Sequence, residues 1–148
     1  MPFQSIFFDL GDTLVRVNPK AWLPGGKELL NALNQKGIRL GIISNTTGLV
    51  SRQAILGVLP ADFDISLFEP DLVLFSSEVG LHKPNKDIFE KAVAVANVHA
   101  SQCLYCSENV VEVLMAQHVG MRAVRVQTGP NSDWGSLQQR LADFESLI

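Results

Sequence analysis

Residues 5–15 read SIFFDLGDTLV, an apolar run that closes on a single carboxylate, Asp9. An acid in that setting is costly to bury without a partner. Oxygen- and nitrogen-bearing residues also follow later apolar runs: Ser44 and Asn45 after IRLGII, His82 and Lys83 after LVLFSS, Ser107 and Glu108 after QCLYC. A carboxylate can attack phosphorus as a nucleophile and form an acyl phosphate. Repulsion from a phosphate dianion weakens that attack unless a divalent cation lies between the two. Mg²⁺ takes oxygen ligands and commonly uses one or two carboxylates with the substrate phosphate, and Asp9 and Glu108 can supply them. Ser44 can donate to a phosphoryl oxygen, and Lys83 can offset charge that develops in the transition state.

Such a site needs elements that bring four distant segments together. Apolar runs at 5–10, 38–44, 72–77, 102–107 and 121–126 read as strands. Helical patterns fall at 27–37 and 85–97, the latter opened by Pro84, and at 109–120, stopped by Gly120. Residues 47–56 suit a short helix capped by Thr46 or Thr47. The chain's last helix would pack through Leu137, Leu141, Phe144 and Leu147. The stretch 57–71 reads as a loop with at most one helical turn. This alternation predicts a Rossmann-like three-layer α/β sandwich with a mostly parallel five-stranded sheet. Ligands bind beyond the carboxyl ends of such strands, so Asp9, Ser44, Lys83 and Glu108 are expected at one edge.

Composition narrows the class. The 148 residues are 47% hydrophobic, enough for one domain spanning 1–148, with no internal repeat or linker. The net charge is −3 and no Lys/Arg stripe is visible, which argues against nucleic acid. No apolar run approaches the ~20 residues of a membrane span. The N-terminus lacks signal-peptide features, so a cytoplasmic location is expected. Cys103 and Cys106 are spaced as C-x-x-C, but they lie within a strand pattern and point to opposite faces. They read as buried structural thiols, and no further ligands suggest zinc.

The chain resembles the haloacid dehalogenase-like (HAD) hydrolase superfamily from residue 5 to about 126. FFDLGDTLV resembles its first motif, D-x-D-x-T on a strand end. LGIISNTTG resembles the second, SSEVGLHKPNKDIFEKA the third, and LYCSENVVEVLMAQHVGMRAV the fourth. Four motifs in order and at the right spacing are specific, where any one would be weak. The resemblance implies a Mg²⁺-dependent phosphatase with Asp9 as nucleophile and metal ligand. It implies that Ser44, Asn45 and Lys83 bind phosphate, and that the Gly11 carbonyl and Glu108 hold the metal. Glu112 would orient metal-bound water or Lys83; one helical turn from Glu108, it can face the same side.

Two departures stand out. The family's acid–base Asp is replaced by Gly11, and its Gly-Asp in motif four by Ser107-Glu108. General acid–base assistance is worth roughly 10²–10⁴-fold, so slow turnover or activated leaving groups are expected. Asp12 is the nearest replacement, since the flexible Gly11 backbone could let it reach the site. The alternative is a HAD-fold binding or regulatory module without turnover. A phosphoacceptor receiver domain is disfavoured, because its acid ends strand three, where Ser76 and Ser77 stand here. His82, His99 and His118 read as loop, surface or structural residues, and Trp22 and Trp134 as packing residues, Trp22 near a flap over 14–24. The intervals between the motifs hold no cap domain, so dehalogenation is disfavoured. The site should be open, to a small-molecule or macromolecular phosphate, or covered by a partner or a second copy.

Overall fold

A computed structural model describes residues 3–126. The expected last helix and Trp134 lie outside the described residues. Strands β1 (Ser5–Phe8), β4 (Arg39–Ser44), β5 (Val73–Phe75), β6 (Cys103–Ser107) and β7 (Arg122–Arg125) form one sheet in the order β5-β4-β1-β6-β7. Every neighbouring pair is parallel. Strands β2 (Val15–Val17) and β3 (Lys20–Trp22) form a separate antiparallel hairpin, the flap expected over 14–24. Helices α1 (Gly26–Gln35), α2 (Arg52–Gly57), α3 (Ser76–Val79), α4 (Lys86–Ala96) and α5 (Val110–His118) complete the named elements.

Alternation along the strands builds two cores. Phe8, Ile42, Leu104 and Cys106 pack with Leu29, Leu30 and Leu33 of α1 and Ile55 of α2. Phe7, Ile43, Leu74 and Tyr105 pack on the other face with Ile88, Phe89 and Ala92 of α4 and Ala116 of α5. Both faces are covered, which is why the strands read as nearly continuous apolar runs. Cys103 and Cys106 fall in opposite cores and are free thiols. Burial raises the Cys103 pKa to about 11 and pushes that of Cys106 up as well. Neither thiol is available as a thiolate near neutral pH.

The centre of the sheet is tight. Phe7 pairs in register with Gly41, and a β-carbon at Gly41 would lie 2.6 Å from the Phe7 ring and 2.8 Å from the Leu72 carbonyl oxygen. Only glycine lets the ring lie across β4.

Three expectations need correction. The strand read over 72–77 ends at Phe75, and Ser76 begins α3. Ser76 Oγ accepts the Thr46 N–H at 2.8 Å, and the Ser77 N–H donates to Thr46 Oγ1 at 3.1 Å. These side-chain to backbone bonds replace strand pairing there. Thr46 is therefore committed to α3 rather than capping α2. Helix α2 starts later, at Arg52, where Ser51 Oγ accepts the Ala54 N–H at 3.0 Å. The stretch 57–71, expected to hold at most one helical turn, instead enters two short 3₁₀ turns, Ile65–Leu67 and Pro70–Leu72.

Candidate functional site

Strand β1 ends at Phe8, and the chain then turns sharply. The N–H groups of Thr13, Leu14 and Val15 all donate to the Leu10 carbonyl, and Asp12 takes a left-handed φ of 62°. Asp9 sits at the head of this turn, with a side chain only 9% exposed. Its Oδ1 accepts the Leu10 N–H at 2.9 Å and Lys83 Nζ at 2.8 Å; its Oδ2 accepts Thr13 Oγ1 at 3.3 Å. The Thr13 hydroxyl also accepts the Glu108 N–H at 3.1 Å. One threonine thus ties the end of β1 to the end of β6.

Lys83 comes from the loop before α4, with a side chain only 2% exposed. Its ammonium also meets Glu112 Oε1 at 2.8 Å and Tyr105 OH at 3.1 Å. Glu112 Oε1 further accepts Tyr105 OH at 2.7 Å and Ser107 Oγ at 3.2 Å. Glu112 is therefore not a solvated helix residue; it holds the lysine. The Asn45 carboxamide accepts the Lys83 N–H at 2.9 Å and donates to the Lys83 carbonyl at 3.0 Å. That leaves one Asn45 amide hydrogen for a ligand. Ser44, buried at the end of β4, stands beside Asn45. Asp9, Ser44, Lys83 and Glu108 all follow the carboxyl ends of parallel strands, at one edge of the sheet.

Asp12 is exposed, and its backbone N–H donates to the Val15 carbonyl at 2.8 Å. Its charge acts on Glu108. Gly11 has open space: a β-carbon there would meet only Val17 Cγ2, at 4.0 Å. Trp22 is tied away from Asp9, with Nε1 donating to Asp62 Oδ1 at 2.7 Å and its ring stacked on Phe63.

The electrostatics favour a cation. Burial raises the pKa of Asp9, the Lys83 ammonium opposes that, and the Glu112 charge adds to it. Glu108 is pushed up to about 7 by burial, then by Asp9 and Glu112, with Lys83 opposing and Asp12 adding. Among the described residues no group of three or more His, Cys, Asp and Glu side chains is disposed to hold a metal. Two carboxylates and a backbone carbonyl are instead a hard-oxygen set of the kind Mg²⁺ completes with water and substrate phosphate. The Asp9 charge that raises Glu108 is repulsion such an ion would relieve, so the two carboxylates fit it.

Tyr105 is the member that motif spacing did not single out, and Thr13, the Thr of the first motif, carried no assigned role. Tyr105 carried a signal: a tyrosine in an otherwise apolar buried strand needs a partner for its hydroxyl.

Residues 21–120 match the family described as haloacid dehalogenase-like hydrolase. A glyceraldehyde 3-phosphate phosphatase from Pyrococcus abyssi is 32% identical over 108 residues, covering 72% of this chain and 43% of that protein. The chain belongs to the haloacid dehalogenase-like hydrolase family. Its fold is shared with an uncharacterized protein from Listeria monocytogenes (TM-score 0.74, 20% identity, 98% of each chain). It is shared also with a HAD family enzyme from Bacteroides thetaiotaomicron, crystallised with magnesium and inorganic phosphate (TM-score 0.72, 12% identity, 91% of this chain and 98% of that one). The chain spans about half the length of the curated relatives it matches. Among the described residues only the hairpin and α1 lie between Asp9 and β4, and no cap domain is present.

Proposed function

We propose that the chain is a phosphatase that works through an aspartyl phosphate on Asp9. The observation that carries this reading is the bond from the buried Lys83 ammonium to Asp9 Oδ1, 2.8 Å long, at the carboxyl edge of a parallel sheet. Asp9 attacks the phosphorus, the bond to the leaving oxygen breaks, and water later attacks the phosphorus to release phosphate and restore the carboxylate. Lys83 and Ser44 hold the phosphoryl oxygens, and the free amide hydrogen of Asn45 adds a donor. Glu112 and Tyr105 fix the Lys83 ammonium. Asp9, the Gly11 carbonyl and Glu108 would hold Mg²⁺, with Glu112 reaching it through water. Bound there, the ion supplies charge neutralisation between carboxylate and phosphate. Asp12 is the proposed base for the second step.

Gly11 favours a second reading, a phosphate-binding module without turnover, because the family's acid–base side chain is missing. Phosphate release from acetyl phosphate and 4-nitrophenyl phosphate with Mg²⁺ separates the two. Turnover lost in Asp9→Asn is expected. A folded wild type that is inert with both substrates, and stays inert as Gly11→Asp, would establish the module instead.

A further inference from the structure

A cavity of about 310 Å³ opens beside the phosphoryl site, with Gly11 and Ser44 at the end nearest Asp9. Leu10, Ile55 and Leu59 are fully buried in its lining, and Val17, Leu49 and Val58 complete its apolar surface. Asn45, Thr46 and Thr47 add polar groups, and among the described residues no charged side chain lines it. Its walls are braced before any ligand arrives. Lys20 Nζ of the hairpin donates to the Gly57 carbonyl at the end of α2 at 2.9 Å, and Trp22 is anchored to Asp62 and Phe63.

We propose that this cavity receives the leaving group of the substrate, and that the leaving group is a small aryl ring. The proposal rests on the phosphatase reading above. Three features of the cavity select the class. Its lining is mostly apolar and, among the described residues, uncharged, which suits a ring better than a charged metabolite. Its volume lies at the lower end of the roughly 300–1,000 Å³ of small-molecule sites, enough for one or two rings. Its end nearest the nucleophile is Gly11, which offers no side chain to protonate a departing oxygen. A phenolic oxygen, with a pKa of about 10, can leave without protonation. An alkoxide, whose conjugate acid lies near the ~15.7 of water, cannot do so readily. An aryl phosphate meets all three conditions. An apolar alkyl phosphate fails the third, and an acyl phosphate leaves the cavity unused.

The step balances without a co-reactant beyond water. Asp9 forms an O–P bond as the P–O(aryl) bond breaks, and the electron pair departs on the phenolate oxygen. The phenolate takes its proton from solvent. Water then attacks phosphorus, the P–O(Asp9) bond breaks, and phosphate leaves.

Initial rates with Mg²⁺ on 1-naphthyl phosphate, cyclohexyl phosphate, acetyl phosphate and a phosphotyrosyl peptide test the proposal, with wild type, Asp9→Asn and Val17→Asn. Val17 is 47% exposed on the hairpin, so the substitution spares the core. The expected result is that kcat for 1-naphthyl phosphate exceeds that for cyclohexyl phosphate by about 10²-fold or more, the worth of the missing acid. Its KM should lie below that of acetyl phosphate and rise about tenfold in Val17→Asn, while acetyl phosphate is unaffected. Val58→Asn repeats the arm if Val17→Asn fails to fold. Acetyl phosphate hydrolysis that depends on Asp9, with no KM advantage for the naphthyl ester or with equal effects of Val17→Asn on both, would overturn the aryl assignment alone. Preference for the peptide would overturn the small-molecule assignment. Failure of every ester would remove the phosphatase reading and this proposal with it.

Discussion

Replacing Lys83 by methionine keeps an unbranched side chain, one atom shorter, and removes its charge. Lys83 Nζ lies 2.8 Å from both Asp9 Oδ1 and Glu112 Oε1, and the side chains are 2%, 9% and 13% exposed. The substitution leaves two nearly buried carboxylates facing a thioether, and breaking a buried pair from one side costs about 3–5 kcal/mol. That is a large share of the roughly 5–15 kcal/mol that holds a domain together. The loss has a defined pH dependence. Without the ammonium, burial and the Glu112 charge raise the Asp9 pKa in the folded state further above its unfolded value. The folded variant then binds more protons than the unfolded chain, so its stability falls as pH rises through that interval. Urea unfolding of metal-free wild type and Lys83→Met should therefore differ by about 3–5 kcal/mol at pH 7.5 and by clearly less at pH 4.5. Adding Mg²⁺ should restore part of the difference at pH 7.5. A loss below about 1 kcal/mol, typical of an exposed pair, or one equal at both pH values, would refute the assignment of Lys83 as the buried counter-ion.

Glu108 is raised from 4.5 to about 7, so in the metal-free protein its contribution to stability is lost as pH rises through that window. Mg²⁺ should flatten the profile and release protons when added near pH 6.5, measurable by unfolding and by dye titration; a profile unchanged by Mg²⁺ would exclude Glu108 as a ligand. Gly41→Ala should destabilise the fold by about 1–3 kcal/mol through its clash with the Phe7 ring and the Leu72 carbonyl, read by thermal unfolding; a neutral result would mean the strands can separate there without penalty. Gly11→Asp should fold normally, since its β-carbon meets only Val17 at 4.0 Å. It should raise turnover of alkyl phosphates by about 10²-fold or more, and a folded variant with unchanged alkyl turnover would show that more than the acid is missing.

The sheet and the outline of the candidate site were legible because several of its polar residues interrupt or end apolar runs. Asp9, Ser44 and Glu108 stand where strand patterns stop, and parallel topology then brings those ends together. What was illegible depends on which partner a side chain chooses. Thr46 could cap a helix or bridge to another segment, and its bonds to Ser76 and Ser77 decide both where β5 ends and where α2 begins. Spacing lets Glu112 face the side of Glu108, and the resemblance left it with metal-bound water or Lys83; the fold brings Lys83 and Tyr105 to it. The role of Asn45 as a clamp on the Lys83 backbone is likewise a tertiary fact, joining two segments 38 residues apart.

Capture of the covalent intermediate tests the central claim most directly. The protein is mixed with Mg²⁺ and 4-nitrophenyl phosphate, quenched in acid within the first turnover, digested and analysed by mass spectrometry. The expected result is one added phosphoryl group on the peptide that carries Asp9, absent from Asp9→Asn. Phosphate release that matches wild type in Asp9→Asn, or a phosphoryl group on any other residue, would contradict the assignment of Asp9 as the nucleophile.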